Sequence, residues 1–191
     1  MSVTVTGQVT TLTFDDGPSE WTPLILDLLA EHEVKATFFV TGLALIGNGL
    51  IVARAYLEGH TIGNHGFSHV RLTELSDVAV RLQLAETSRS LKTVTGERPS
   101  LFRAPFFATN GRVGGIAAGL GLTHVGASII PDDWMSDDSE AIARVVLSEL
   151  KPGAVVSLHD GIPPDGGSDR CTASRMPTVE AVRMILEGMR T

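Results

Sequence analysis

The sequence predicts an α/β fold, with parallel strands joined by helical crossovers and curled into a barrel. Two observations carry that reading. Short β-branched runs alternate with helical patterns from one end of the 191-residue chain to the other, the rhythm of βαβ units. No Pro/Gly/Ser-rich linker and no fixed-period repeat divides the chain, so residues 1–191 read as one domain, a length that a single core can support.

Each element follows from local pattern. Residues 9–14 are β-branched and alternating, and they stop at Asp15-Asp16-Gly17-Pro18. Residues 21–33 carry Leu24, Ile25, Leu28 and Leu29 at helical spacing. Residues 36–40 read as a buried strand, and 50–57 as a short helix ending at Gly59. Residues 75–94 hold the longest helical pattern. A strand at 101–103, a helix at 111–120, a strand at 123–129, a helix at 140–150, a strand at 154–158 and a helix at 179–189 complete the chain. Residues 163–177 form the one long loop-like stretch.

Hydrophobic residues make up 43% and charged residues 19%, ordinary for a soluble globular protein. With 15 basic against 22 acidic residues the net charge is −7, and no Lys/Arg cluster stands out, which argues against nucleic acid as a partner. A single cysteine, Cys171, excludes an internal disulfide framework and falls in a polar stretch read as a solvent-facing loop with no catalytic role. No apolar run approaches the roughly 20 residues of a membrane helix. Residues 1–8 lack the basic start and apolar centre of a signal peptide, which fits a cytoplasmic protein or a mature secreted domain.

The chemistry clusters at strand ends. In Thr13-Phe14-Asp15-Asp16-Gly17-Pro18, two adjacent carboxylates sit where a strand meets a turn, the place where active-site loops of α/β folds begin. Neighbouring side chains on a strand face opposite sides, so a division of labour is expected, one acid binding metal and the other free as a base. Taken alone, Asp-Asp-Gly-Pro is also ordinary turn chemistry. In His65-Gly66-Phe67-Ser68-His69, histidines four apart would share one face of a helical turn, a metal-binding spacing. Gly66 leaves a loop as the alternative. One carboxylate and two imidazoles make a three-ligand site with positions open for water and substrate, a set also used by non-haem iron enzymes. His32, His60 and His124 lack such company and read as structural or surface residues.

Three later segments add Arg103 and Phe106 in Phe102-Arg103-Ala104-Pro105-Phe106, an acid pair beside an indole in Pro131-Asp132-Asp133-Trp134, and His159 in Val155-Val156-Ser157-Leu158-His159-Asp160. Singly these read as a surface salt bridge, a polar turn and a strand-end cap. Their joint occurrence at strand ends points to a site.

In order, these five segments resemble the five motifs of the polysaccharide deacetylase family, carbohydrate esterase family 4. That family includes chitin, peptidoglycan and nodulation-factor deacetylases and acetylxylan esterases. The resemblance runs from Thr13 to Asp160. It implies a distorted (β/α) barrel with about seven parallel strands. It implies a divalent metal, zinc with cobalt or nickel as alternatives, held by Asp16, His65 and His69. It carries over Asp15 as general base, Arg103 as the residue orienting that base, and His159 as general acid. Asp133 and Trp134 would line the acid's pocket, Phe106 would give its backbone N–H to the oxyanion, and Pro105 and Leu158 would join the substrate-binding residues.

The activity implied is removal of acetyl groups from N-acetylated amino sugars. The alternatives are an acetylxylan-type O-acetyl esterase, an amidohydrolase of allantoinase or imide hydrolase type, and an inactive carbohydrate-binding module. Asp15 and His159 speak against the last, because binding requires neither. Four positions depart from the family pattern. Gly66 replaces a Ser or Thr whose hydroxyl braces the histidine loop. Ala104 and Phe106 replace Pro and Tyr. Ile130 stands where an acid precedes the Asp-Trp pair, so either Asp132 or Asp133 tunes His159 or the acid is set in another way. The sequence does not set the oligomeric state.

Overall fold

Seven strands form one sheet in a computed structural model that describes residues 3–5, 8–163 and 172–189. Strand β2 (Gln8–Asp15) lies between β3 (Thr37–Val40) and β7 (Val155–His159), parallel to both. Beyond β3 come β4 (Thr61–Asn64), β5 (Leu101–Phe102) and β6 (Thr123–His124), all parallel. The remaining strand, β1 (Val3–Val5), pairs antiparallel with β2, so six strands are parallel and one is not. Helices α1 (Thr22–Glu31), α2 (Gly42–Leu45), α3 (Gly49–Leu57), α4 (Asp77–Thr95), α5 (Gly111–Ala118), α6 (Ser139–Glu149) and α7 (Met176–Gly188) fill the crossovers.

Strand alternation sets the two faces of the sheet. Leu12 and Phe14 of β2, with Val156 and Leu158 of β7, are buried in the main apolar core together with α1 and α7 residues such as Ile25, Leu29, Val182 and Ile185. Thr13, Asp15 and Ser157 face the other way and meet inside the curl. A smaller core joins Leu72, Val80, Leu84, Phe102 and Val113. Helix α4 is capped by the Ser76 hydroxyl, which accepts from the Ala79 N–H, and it ends at Gly96 with φ of 84°. Among the described residues no helix is long and apolar enough to cross a membrane.

The departures from pattern have local causes. The strand expected over 123–129 stops at His124 because the carbonyls of Val125 and Gly126 turn to accept from Nε and Nη2 of Arg103, at 3.2 and 2.9 Å. Pairing resumes only at Ile129, which bridges to Val156 and draws this segment against β7, leaving the barrel distorted. Strand β4 has no counterpart in the pattern; it is four residues long and half polar. Its Gly63 makes room for the Phe39 ring, since a Cβ there would lie 2.5 Å from that ring. Helix α7 starts at Met176 rather than at 179 because Pro177 is tolerated in the first helical turn.

Candidate active site at the strand ends

A cavity of about 450 Å³ opens at the C-terminal ends of β2, β4, β5 and β7. Of the residues singled out in the sequence, Asp15, Asp16, His65, His69, Phe106, Trp134 and His159 line it. Arg71, Phe107 and Arg175, which the motifs did not flag, line it as well. Six non-glycine residues have positive φ among the described residues, and Asp16, His69, Phe106, Phe107 and Asp132 are all on this cavity. Left-handed backbone is uphill for a residue with a Cβ and concentrates at functional sites, so this clustering singles out the cavity.

Both adjacent acids reach it, by different routes. Asp15 ends β2 and faces inward by alternation, whereas Asp16 has left the ladder with φ of 75°, which swings its carboxylate to the same side. Asp15 Oδ1 accepts from Nη1 of Arg103 at 2.9 Å, and Oδ2 accepts from the Ser157 hydroxyl at 3.1 Å. Arg103 is fully buried, with Nη1 also 2.6 Å from the Thr13 hydroxyl and its guanidinium 4.4 Å over the Phe39 ring. It is a buried anchor behind the cavity.

His65 and His69 come together on a loop, not on a helical turn, with Gly66 at φ of 75° and His69 at 53°. Their ring centroids are 5.2 Å apart. Helix α4 holds the loop. Gln83 Oε1 accepts from the N–H groups of Phe67 and Ser68 at 2.8 and 2.9 Å, and its amide donates to the Ser68 hydroxyl at 2.9 Å. One turn on, the Thr87 hydroxyl donates to the Gly66 carbonyl at 2.9 Å, while Asn64 Oδ1 accepts from the Gly66 N–H at 2.8 Å. Sequence reasoning missed Gln83 and Thr87. The available signal was polar Thr87 and Ser88 interrupting the buried stripe of Val80, Leu84 and Leu91.

Nε2 of His69 and of His65 lie 3.1 and 3.4 Å from Asp16 Oδ1, and the three ligand atoms all fall within 4.8 Å of one another. Asp16 Oδ1 is buried yet has no well-aligned hydrogen bond among the described residues. Burial opposes its charge, but the two histidines outweigh that and hold its carboxyl well below the usual carboxylate range. His65 Nδ1 is 2.8 Å from the Arg103 carbonyl, which fixes the ring and leaves Nε2 facing Asp16. A buried, ionised carboxylate facing two imidazole nitrogens fits a divalent ion such as zinc.

His159 stands beside Asp15 in register across β7 and β2. Its Nδ1 is 2.8 Å from Asp133 Oδ1, while Asp133 Oδ2 accepts from the His159 N–H at 2.9 Å and from the Thr178 hydroxyl at 2.8 Å. Burial disfavours a charged His159, but the Asp133 carboxylate, with Asp16 and Asp15 beyond it, outweighs this and pushes the imidazole up to about 9. Asp133, not Asp132, is the acid that touches His159; Asp132 and Ile130 lie on the rim.

Two expectations are corrected. Leu158 is fully buried in the main core, because alternation along β7 turns it away from the face of His159. Pro105 is buried beside Gly66 and does not line the cavity. His60 is a buried structural residue whose Nδ1 accepts from the Ala36 N–H. Cys171 lies outside the described residues. Asp160, read from sequence as part of a strand-end cap, anchors the acid turn. Its carboxylate accepts from the Gly17 N–H at 3.1 Å and the Thr22 hydroxyl at 2.7 Å, its N–H donates to the Asp15 carbonyl, and its carbonyl accepts from Ser19. Gly17 is required there, since a Cβ would lie 2.2 Å from the Asp160 carboxylate.

The sequence profile for polysaccharide deacetylases matches residues 2–125. A chitooligosaccharide deacetylase of Rhizobium leguminosarum bv. phaseoli is 39% identical over 184 residues, spanning 93% of this chain and 80% of the relative. The peptidoglycan-N-acetylglucosamine deacetylase PgdA of Listeria monocytogenes is 39% identical over 150 residues, 78% of this chain and 32% of its own length. Among solved structures, a family 4 carbohydrate esterase from Streptomyces lividans in complex with acetate superimposes with a TM-score of 0.84 at 27% identity, covering 96% of this chain and 88% of that one. By profile, by sequence and by fold, the chain belongs to the polysaccharide deacetylase family of hydrolases, carbohydrate esterase family 4.

Proposed function

We propose that the chain removes acetyl groups from N-acetylated amino-sugar glycans of the chitooligosaccharide or peptidoglycan type. The observation that carries this reading is His159, whose ring the buried Asp133 carboxylate keeps protonated in the same cavity as Asp16, His65 and His69. An amine leaves an acetyl carbon only after taking up a proton, so a poised acid favours amide over ester substrates.

Asp16, His65 and His69 would hold a divalent ion, zinc with cobalt or nickel as alternatives. When bound, the ion supplies a Lewis acid toward the acetyl carbonyl and makes water more acidic. Asp15 takes a proton from the attacking water, and Arg103 and Ser157 pin both its oxygens so that the carboxylate cannot turn away. Phe106 offers its backbone N–H to the developing oxyanion. His159 then donates from Nε2, the ring nitrogen that Asp133 leaves open, to the departing nitrogen. Trp134 offers an indole face to the sugar ring.

Acetate release by the zinc-loaded protein tests this. Release is expected from chitooligosaccharides or peptidoglycan fragments, at rates well above those on acetylxylan, and none of the ring opening that an allantoinase-like enzyme would catalyse. Hydrolysis of cyclic amides without acetate release from any glycan would overturn the reading.

A further inference from the structure

We infer that Arg71 makes this site prefer glycans that carry a carboxylate next to the acetylated sugar. The inference rests on the deacetylase reading above. Arg71 directly follows the histidine loop, leads into the short helical turn Leu72–Glu74 and lines the cavity. Its guanidinium carbon sits 4.5 Å over the Phe106 ring, and the Phe106 ring centroid is 4.5 Å from that of His69. The positive charge therefore stands one aromatic ring away from a residue that would hold the metal. That is the scale on which the neighbouring sugar of a bound glycan, or a substituent on it, would lie. The Phe106 ring on which the guanidinium rests is itself packed against the His69 ring.

The charge is also uncommitted. Arg54, Arg89, Arg103, Arg112 and Arg183 each pair with an Asp or Glu, whereas Arg71 has no such partner among the described residues. Arg175, the other arginine on the cavity, is fully buried and donates to the carbonyls of Gly161, Thr172 and Ser174. The rim carboxylate of Asp132 makes no ion pair with Arg71, so two opposite charges stand apart on the rim and would set the direction in which an anionic glycan lies. A guanidinium held over a ring face keeps N–H groups for other partners, and its fork matches a carboxylate in two parallel hydrogen bonds. On a chain of net charge −7, general attraction of anions is unfavourable, so a preference for an anionic glycan needs a local exposed cation, which Arg71 supplies.

A matched pair of substrates tests the inference: an N-acetylated glycan whose alternate sugars bear a 3-O-lactyl carboxylate, and the same glycan with that carboxyl converted to its methyl amide. The zinc-loaded protein should favour the charged glycan about 5–10-fold in kcat/KM at low salt, mainly through KM, as expected of a partly exposed bidentate pair. The preference should shrink as salt is raised. Arg71→Gln should bring the ratio to about one, and Arg71→Lys should keep part of it. A ratio near one in the parent, or a preference that survives Arg71→Gln, overturns the inference. Turnover of both glycans at equal rates sinks it while leaving the deacetylase reading intact; turnover of neither sinks the deacetylase reading.

Discussion

Two arginines mark the difference between the floor of the cavity and its rim. Arg103 on the floor is fully buried, with every nitrogen committed: to the Asp15 carboxylate, the Thr13 and Ser157 hydroxyls, and the carbonyls of Val125 and Gly126. Arg71 on the rim is exposed, rests on a ring and meets no carboxylate among the described residues. A buried charge survives only when its partners are in place, so the floor is over-determined, and each of its groups carries stability and chemistry together. A rim charge contributes little to stability, which leaves it free to differ between relatives and to choose substrates. The floor runs the reaction; the rim selects what reaches it.

The largest expected effect comes from the floor. Asp15→Asn should leave metal content unchanged while turnover falls about 10²–10⁴-fold, the usual worth of a general base. The same change leaves Arg103 buried without a counter-charge, so unfolding should become easier by about 3–5 kcal/mol. Metal analysis beside a denaturation curve separates the two effects. Loss of metal equal to that caused by His65→Ala or His69→Ala would make Asp15 a ligand and erase the division of labour between the adjacent acids.

Asp133→Asn probes the other half of the floor through pH. His159 titrates near 9, above the ordinary histidine value of about 6.5, so it stays protonated at neutral pH and loses its proton as pH rises through 9. The stability that this charge contributes is fully present below about 6.5 and disappears by about 9. The substitution removes the nearest of the charges that raise the imidazole, leaving Asp16 and Asp15 beyond it, and keeps the burial that lowers it. The alkaline limb of the rate on an N-acetyl substrate should therefore move at least about one unit toward acid. An alkaline limb that stays put would assign that limb to another group and remove His159 as the acid.

The floor was legible in the sequence and the rim was not, for the same physical reason. Asp15, Asp16 and His159 sit at the ends of hydrophobic runs that the pattern gives, so their convergence follows from element order, whereas His65 and His69 were legible only through their spacing, because β4, the strand before them, is short and half polar. Asp133 over Asp132 could not be chosen from sequence, because it depends on a backbone twist at Asp132, φ of 53°, that turns one of two adjacent acids inward. Leu158 reads as a substrate residue because its neighbour His159 is one; alternation on β7 decides otherwise. Arg71 and Arg175 belong to no motif, and their side chains reach the cavity only through loops whose path the pattern does not specify. The truncated β6 shows the same limit, since Arg103 captures the carbonyls that a longer strand would have paired.

The smallest expected effect is at Gly66, and it sharpens the comparison most. A Ser there would restore the hydroxyl that the family usually places in the histidine loop. The space exists: a Cβ would lie 3.6 Å from Gln83 Oε1 and from Pro105, ordinary contact distances. The backbone is the obstacle, because φ at Gly66 is 75°, and a side chain in that region costs about 1 kcal/mol. The bracing is already supplied from outside the loop, since Gln83 takes the N–H groups of Phe67 and Ser68 and Thr87 holds the Gly66 carbonyl. Gly66→Ser should thus lower the melting temperature by about 2–4 °C and leave metal affinity within about threefold. Gln83→Ala, by contrast, should weaken metal binding about tenfold or more, as loss of a group that orients a ligand does. If Gly66→Ser instead tightened metal binding tenfold, the loop would be under-braced in this chain. The histidine half of the floor would then be as loosely held as the rim.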